Sequence, residues 1–187
     1  MKNMWFFLVA ALFIIPANTK ASNFKIGKEV TINAATKMTT NKKRIVRKTY
    51  WFTKNKFISY LDIDTKFCKF NHLEVNIVKN VAELEDPKKF NVAKANKAKD
   101  EIIFGWYIRG SSKIYIMPMN LNKRYLVRGK FFEWQNPIDE YGWQANFAHE
   151  IIHYIFDSCD IIVSDFEEHG IIEDFLETHK NQLDKIR

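Results

Sequence analysis

Asn136-Pro137-Ile138-Asp139-Glu140 opens a run that leads into His149-Glu150-Ile151-Ile152-His153. Asn can cap a helix, Pro fits the first helical position where its missing N–H is no loss, and Asp139 and Glu140 favour the positive end of the helix dipole. Ile138, Tyr141, Ala145, Ala148, Ile152 and Ile155 then recur at steps of three and four, so the spacing predicts an amphipathic helix with one buried stripe. Gly142 weakens that helix by about 1 kcal/mol without breaking it. Two histidines four residues apart lie one turn apart on the same side. Their nitrogens can reach one metal ion, and the Glu that follows the first can lie beside it.

Downstream, Ser164 and Glu167 form a capping box, which predicts a helix running to about Gln182 with Ile171, Ile172, Phe175 and Leu176 facing inward. Upstream the signals are those of strands. Ile102 to Pro118 reads as a hairpin around Arg109-Gly110-Ser111-Ser112, and Leu73 to Ile77 alternates as a single strand. Val30 and Ile32 alternate with polar residues, and Arg44 to Phe52 is expected to continue that strand character. Lys56 to Phe70 carries a helical stripe (Phe57, Tyr60, Leu61, Phe67, Cys68), Glu83 to Asp100 is expected to be a surface loop with a short helical piece, and Asn120 to Gln135 a basic, aromatic connection. The expectation is one α+β domain over residues 22–187, with a small mixed or antiparallel sheet packed on the His-bearing helix and a C-terminal helix.

The chain has 187 residues, 16 of them Phe and 5 Trp, enough apolar material for one domain with a real core. The formal charge of +7 is unevenly placed. Residues 22–60 hold ten Lys or Arg against the single acid Glu29, while from Leu61 onward 17 basic residues face 21 acidic ones. The cluster Lys42-Lys43-Arg44 with Arg47 and Lys48 comes without aromatic interleaving or a binding motif. It is therefore read as a solvated face offering at most weak contact with anionic surfaces, and specific nucleic-acid binding is not expected.

Lys2, the apolar run Trp5 to Ile15, Pro16, and the small residues around Thr19-Lys20-Ala21 read as an export signal cleaved after Ala21. Eleven apolar residues fall short of the roughly 20 that span a bilayer, which argues against an uncleaved anchor. The expected location is secreted or periplasmic. Cys68 and Cys159 are the only cysteines; in an oxidising compartment they invite one disulfide, and the alternative is two buried thiols.

His149, Glu150 and His153 make an H-E-x-x-H motif, and the chain resembles the zincin-type zinc metallopeptidases that carry it on a helix. That resemblance implies Zn2+ as cofactor, His149 and His153 as ligands, and Glu150 as the catalytic residue that takes a proton from the attacking water and delivers it to the leaving amine. A catalytic zinc has three protein ligands. The metzincin subclass would need Gly at 156 and His at 159, where this chain has Phe156 and Cys159. Two neighbours compete for the third place. Asp165-Phe166-Glu167-Glu168-His169 resembles the acidic turn before a third His in small exported metallopeptidases, which favours His169. Glu168 lies nearer the middle of its helix's inward face and would match the second-helix Glu of gluzincins. Asp157 and Asp165 are lesser candidates, or could orient a ligand imidazole from behind.

The function expected is hydrolysis of peptide bonds in a peptide or protein substrate. By the same resemblance the strand Lys113 to Met117 is expected to be the edge that pairs with an extended substrate. Tyr107, Tyr115, Tyr154 and Arg109 are equal candidates for an oxyanion donor. Two other classes stay open: an exported envelope- or surface-binding protein whose zinc is structural, closed by a fourth ligand from Cys159 or Asp165, and a basic surface-binding module. Substrate preference and oligomeric state are not encoded in any pattern read here.

Overall fold

In the computed structural model, residues 21–80, 83–84, 104–119, 124–127, 130–133 and 142–187 are described. The segment read as an export signal (1–20), most of the 83–100 segment and the helix start expected at 136–141 lie outside the described residues.

Strand β1 (Ser22–Ile26) turns back into β2 (Val30–Ala34), helix α1 (Thr40–Tyr60) follows, and a short 3-10 turn (Thr65–Phe67) leads to β3 (Leu73–Ile77). Strands β4 (Gly105–Ile108) and β5 (Lys113–Ile116) form a hairpin, as do β6 (Arg124–Val127) and β7 (Lys130–Glu133). Helices α2 (Trp143–Ser158) and α3 (Asp165–Asp184) complete the chain. The main sheet has the order β1-β2-β3-β5-β4; β2, β3 and β5 run parallel and the two outer strands run antiparallel to their neighbours. The protein is an α+β fold with a five-stranded mixed sheet.

Register explains which face of the sheet is covered. Val30, Ile32 and Ala34 stand opposite Leu73, Val75 and Ile77, and these last two stand opposite Ile114 and Ile116. All eight are buried, a continuous apolar face. The alternate residues make a polar face, in which Asn33 bridges Glu74 at 3.0 Å and Asn76 at 3.2 Å. Helices α1 and α2 pack on each other, α2 also touches β4 and β5, and α3 closes over α2. Phe57 of α1, Phe156 of α2 and Phe175 of α3 meet at ring distances of 5.2 to 5.6 Å from Phe57.

Three expectations need correction. Arg44 to Phe52 is helix, not strand: α1 buries Val46, Thr49, Tyr50, Thr53, Lys54 and Phe57, a helical period whose Thr and Lys members hide it from any apolar pattern. Consequently the helix expected over Lys56–Phe70 is only the end of α1 plus the 3-10 turn. Asn120 to Gln135 is not a plain connection, since it contains the β6–β7 pair. In addition α2 begins at Trp143 with Gly142 as its cap, so Gly142 stands at the helix boundary and not inside it.

Helices α1 and α2 end in the same way. Asp62 and Asp160 adopt positive φ (52° and 50°), and Ile63 N–H reaches Ile58 O at 2.9 Å while Ile161 N–H reaches Phe156 O at 3.0 Å. These are Schellman ends with Asp in place of the usual Gly. The end of α2 is tied further by the Cys68–Cys159 disulfide, by Lys69 N–H to Ser158 O at 2.6 Å, and by Tyr154 OH to Asn71 O at 2.6 Å. Of the two alternatives for Cys68 and Cys159, the structure contains the disulfide.

Candidate metal centre

His149 and His153 occupy one side of α2, at the place where the first turns of α3 cross it. Their Nε2 atoms are 3.0 Å apart. His169, on the second turn of α3, brings a third ring to 5.5 Å from His149 and 5.1 Å from His153, centroid to centroid. One ligand atom from each of the three lies within 4.8 Å of the others, two of the rings half-buried and His169 exposed. Tetrahedral zinc with bonds near 2.0 to 2.1 Å needs nitrogens roughly 3.3 Å apart, so the α2 pair is already at bonding separation and His169 needs a small inward shift. Burial, together with the two neighbouring imidazoles, pushes His149 down to about 3, so it is neutral near pH 7, the state a metal ligand needs. Three imidazoles are a donor set that could hold a divalent metal such as zinc.

Of the two rivals for the third position, His169 joins the cluster and Glu168 stands behind it. Glu168 is 1 % exposed; its Oε1 lies 2.5 Å from His153 Nδ1 and its Oε2 accepts from Arg109. Burial works to raise the Glu168 carboxyl, but the bonds and charges of His153 and Arg109 outweigh it and the net shift is downward. His169 Nδ1 donates to the backbone carbonyl of Asp165, one turn earlier, at 2.7 Å, which leaves its Nε2 lone pair for the cluster. Asp165 thus serves through its main chain. Asp157, one turn beyond His153 on the same helix, is not part of the cluster; it accepts from Tyr107 OH and from Gly110 N–H at 2.9 Å.

Glu150 points to the sheet side of α2. It is 6 % exposed and lies directly under β4, whose Tyr107 N–H donates to its carboxylate. Gly105 makes this possible: a Cβ there would come within 2.6 Å of Glu150 Oε1 and 2.7 Å of its Cγ, so no side chain can stand at that position without displacing Glu150. Burial raises Glu150 to about 8, opposed only in part by the Tyr107 N–H. Among the described residues no cation faces it.

Strand β4, not β5, is the edge on this side, which corrects the expectation for Lys113 to Met117: β5 is hydrogen-bonded to β3 on one side and β4 on the other. Of the oxyanion candidates, Tyr107 bonds to Asp157, Tyr154 to Asn71 O and Arg109 to Glu168, while Tyr115 pairs with Trp106 and Asn76 in the sheet register. Tyr107 is pushed well above the ordinary phenol range, first by burial and then by Asp157.

Gly105 and the Arg109–Glu168 contact were not singled out in the sequence. A Gly between Phe104 and Trp106 in a strand is a signal of close backbone approach; nothing in the local pattern links Arg109 to a residue 59 positions away. Comparisons with protein-family models, with curated proteins and with solved structures found no match to this chain.

Proposed function

We propose that this protein is an exported zinc-dependent peptidase in which His149, His153 and His169 hold the metal and Glu150 is the general base. The observation that carries the reading is the convergence of three imidazoles from two helices, with a buried Glu on the adjoining helix face under the last strand of the sheet. Zinc, when bound, supplies Lewis acidity that acidifies water and polarises a carbonyl. Everything else falls to the chain. Glu150, whose ionised form would be favoured by the charge of a bound cation, would then take the proton of the attacking water and return it to the leaving amine. Its tight seat against Gly105 and Tyr107 N–H restricts where that carboxylate can point. Strand β4 ends the sheet among the described residues, and an extended peptide adding beside it would be held by main-chain hydrogen bonds. Export is in keeping with the disulfide, the form two cysteines take in an oxidising compartment.

The alternative, an exported envelope- or surface-binding protein with a structural zinc, called for a fourth ligand. Cys159 is bonded to Cys68, and the Asp165 carboxylate, 91 % exposed, is directed to Arg109 at 3.5 Å, which favours the open, catalytic site. The test compares zinc-loaded wild type with Glu150→Gln on a mixture of unstructured peptides. Cleavage by the wild type and none by the variant is expected, with equal metal content; a zinc-loaded wild type that cuts no peptide would favour the structural reading.

A further inference from the structure

A carboxylate as buried as Glu168 is retained only if its oxygens are answered by donors, and here both are. The two donors come from different elements. His153 belongs to α2, whereas Arg109 stands in the turn between β4 and β5 and reaches across to the first turns of α3. An ionised carboxylate can only accept, so the ring proton of His153 must lie on Nδ1 where it faces Glu168 at 2.5 Å. That leaves the Nε2 lone pair aimed at the cluster, 3.0 Å from His149 Nε2. A free neutral imidazole is under no such constraint, and a proton on Nε2 would block the nitrogen that must bind the metal.

We propose that Glu168 and Arg109 are positioning residues: Glu168 fixes His153 in the tautomer and ring orientation that present Nε2 to the metal, and Arg109 holds Glu168 in place from the hairpin. The proposal rests on the reading that the three imidazoles bind zinc, and it adds a linkage. Arg109 follows directly on β4, the strand that lies over Glu150, so its contact with Glu168 ties the hairpin to the imidazole cluster.

Two measurements test this on the whole mature protein. In metal-free wild type at pH 8, long-range 15N–1H correlation spectra of the imidazoles should show His153 protonated at Nδ1; a proton at Nε2 overturns the proposal without any variant being made. Zinc affinity is then read by competition with a chelator for Glu168→Gln, Arg109→Gln and the double variant, each checked for a wild-type near-ultraviolet circular dichroism spectrum. Each single variant should bind zinc roughly 10- to 100-fold more weakly. The double variant should be little worse than the weaker single, because both act through one contact, and Arg109→Lys should recover part of the loss. Unchanged affinity, or losses that simply multiply, overturns the positioning role while leaving the metal site standing. A wild type that takes up no zinc overturns the metal reading and this proposal with it.

Discussion

Helices α1 and α2 pack on one another, and each buries an ionisable side chain: Lys54 at 8 % exposure and Glu150 at 6 %. Their surroundings differ. Lys54 Nζ is 2.7 Å from Glu29 Oε2, Tyr50 OH donates to the same oxygen at 3.2 Å, and the ammonium also stands 4.1 Å from the Phe70 ring centre. The pair holds Glu29 below the ordinary carboxylate range, chiefly through the Lys54 hydrogen bond. That is a charge accommodated by the protein itself. Glu150 is answered by a backbone N–H and by no cation among the described residues, and its carboxyl is driven up to about 8. Burial without a counter-charge disfavours the ionised form of an acid, and a strongly perturbed group in a cleft beside potential metal ligands is a candidate functional group. Three imidazoles on the same helix pair, spaced for a divalent cation, are where that charge would come from.

Substitution at the two positions should therefore separate cleanly. The largest effect is expected on activity: Glu150→Gln should lower peptide cleavage by roughly 10²- to 10⁴-fold while leaving the fold and zinc content as they are. A peptidase rate that survives the change would place the base elsewhere. Next comes the metal. Zinc in hundredfold excess over its dissociation constant should stabilise the folded state by about 2.7 kcal/mol, read as a rise in Tm that a chelator reverses. The same addition should do nothing for a His149→Ala, His153→Ala variant.

Smaller, but aimed at the same seat, is Gly105→Ala. Its new methyl would press on Glu150 Oε1, Cγ and Cδ, so a loss of about 1–3 kcal/mol is expected, with cleavage reduced more than zinc affinity. Urea unfolding beside a zinc titration measures both; equal loss of the two would mean that the whole site had shifted. The smallest effect belongs to α1. Glu29→Gln should cost about 1–2 kcal/mol by leaving the Lys54 ammonium without its counter-charge, and should not touch zinc binding. Because the folded carboxyl titrates below its unfolded value, this contribution is fully present above the ordinary carboxylate range and fades as pH falls through the lower folded value. Acid unfolding of wild type should accordingly narrow the gap to Glu29→Gln.

What was legible in the chain was what depends on neighbours in sequence. The alternation of Leu73 to Ile77, the turn at Arg109-Gly110-Ser111-Ser112 and the Ser164–Glu167 capping box all gave the elements found. Helix α1 was not legible, because Thr49 and Thr53 fill buried positions while Trp51 stays 38 % exposed. Polar residues inside and an aromatic outside imitate the alternation of a strand. The identity of the edge strand depends on β3 pairing with β5 across a long connection, which no local pattern records. At the site, His169 is favoured only by resemblance, whereas the two helices and the His149–His153 pair could be read from spacing. The division of labour between His169 and Glu168 could not, since adjacent residues on one helix differ only in which way α2 and the hairpin meet them.

The central claim is that His149, His153 and His169 hold one zinc ion. It is tested most directly by titrating zinc into the metal-free protein and into its His169→Ala variant. The account predicts one tightly held ion per wild-type chain and its loss, by at least two orders of magnitude in affinity, in the variant. A wild type that binds no zinc, or a variant that binds it as tightly, would contradict the account.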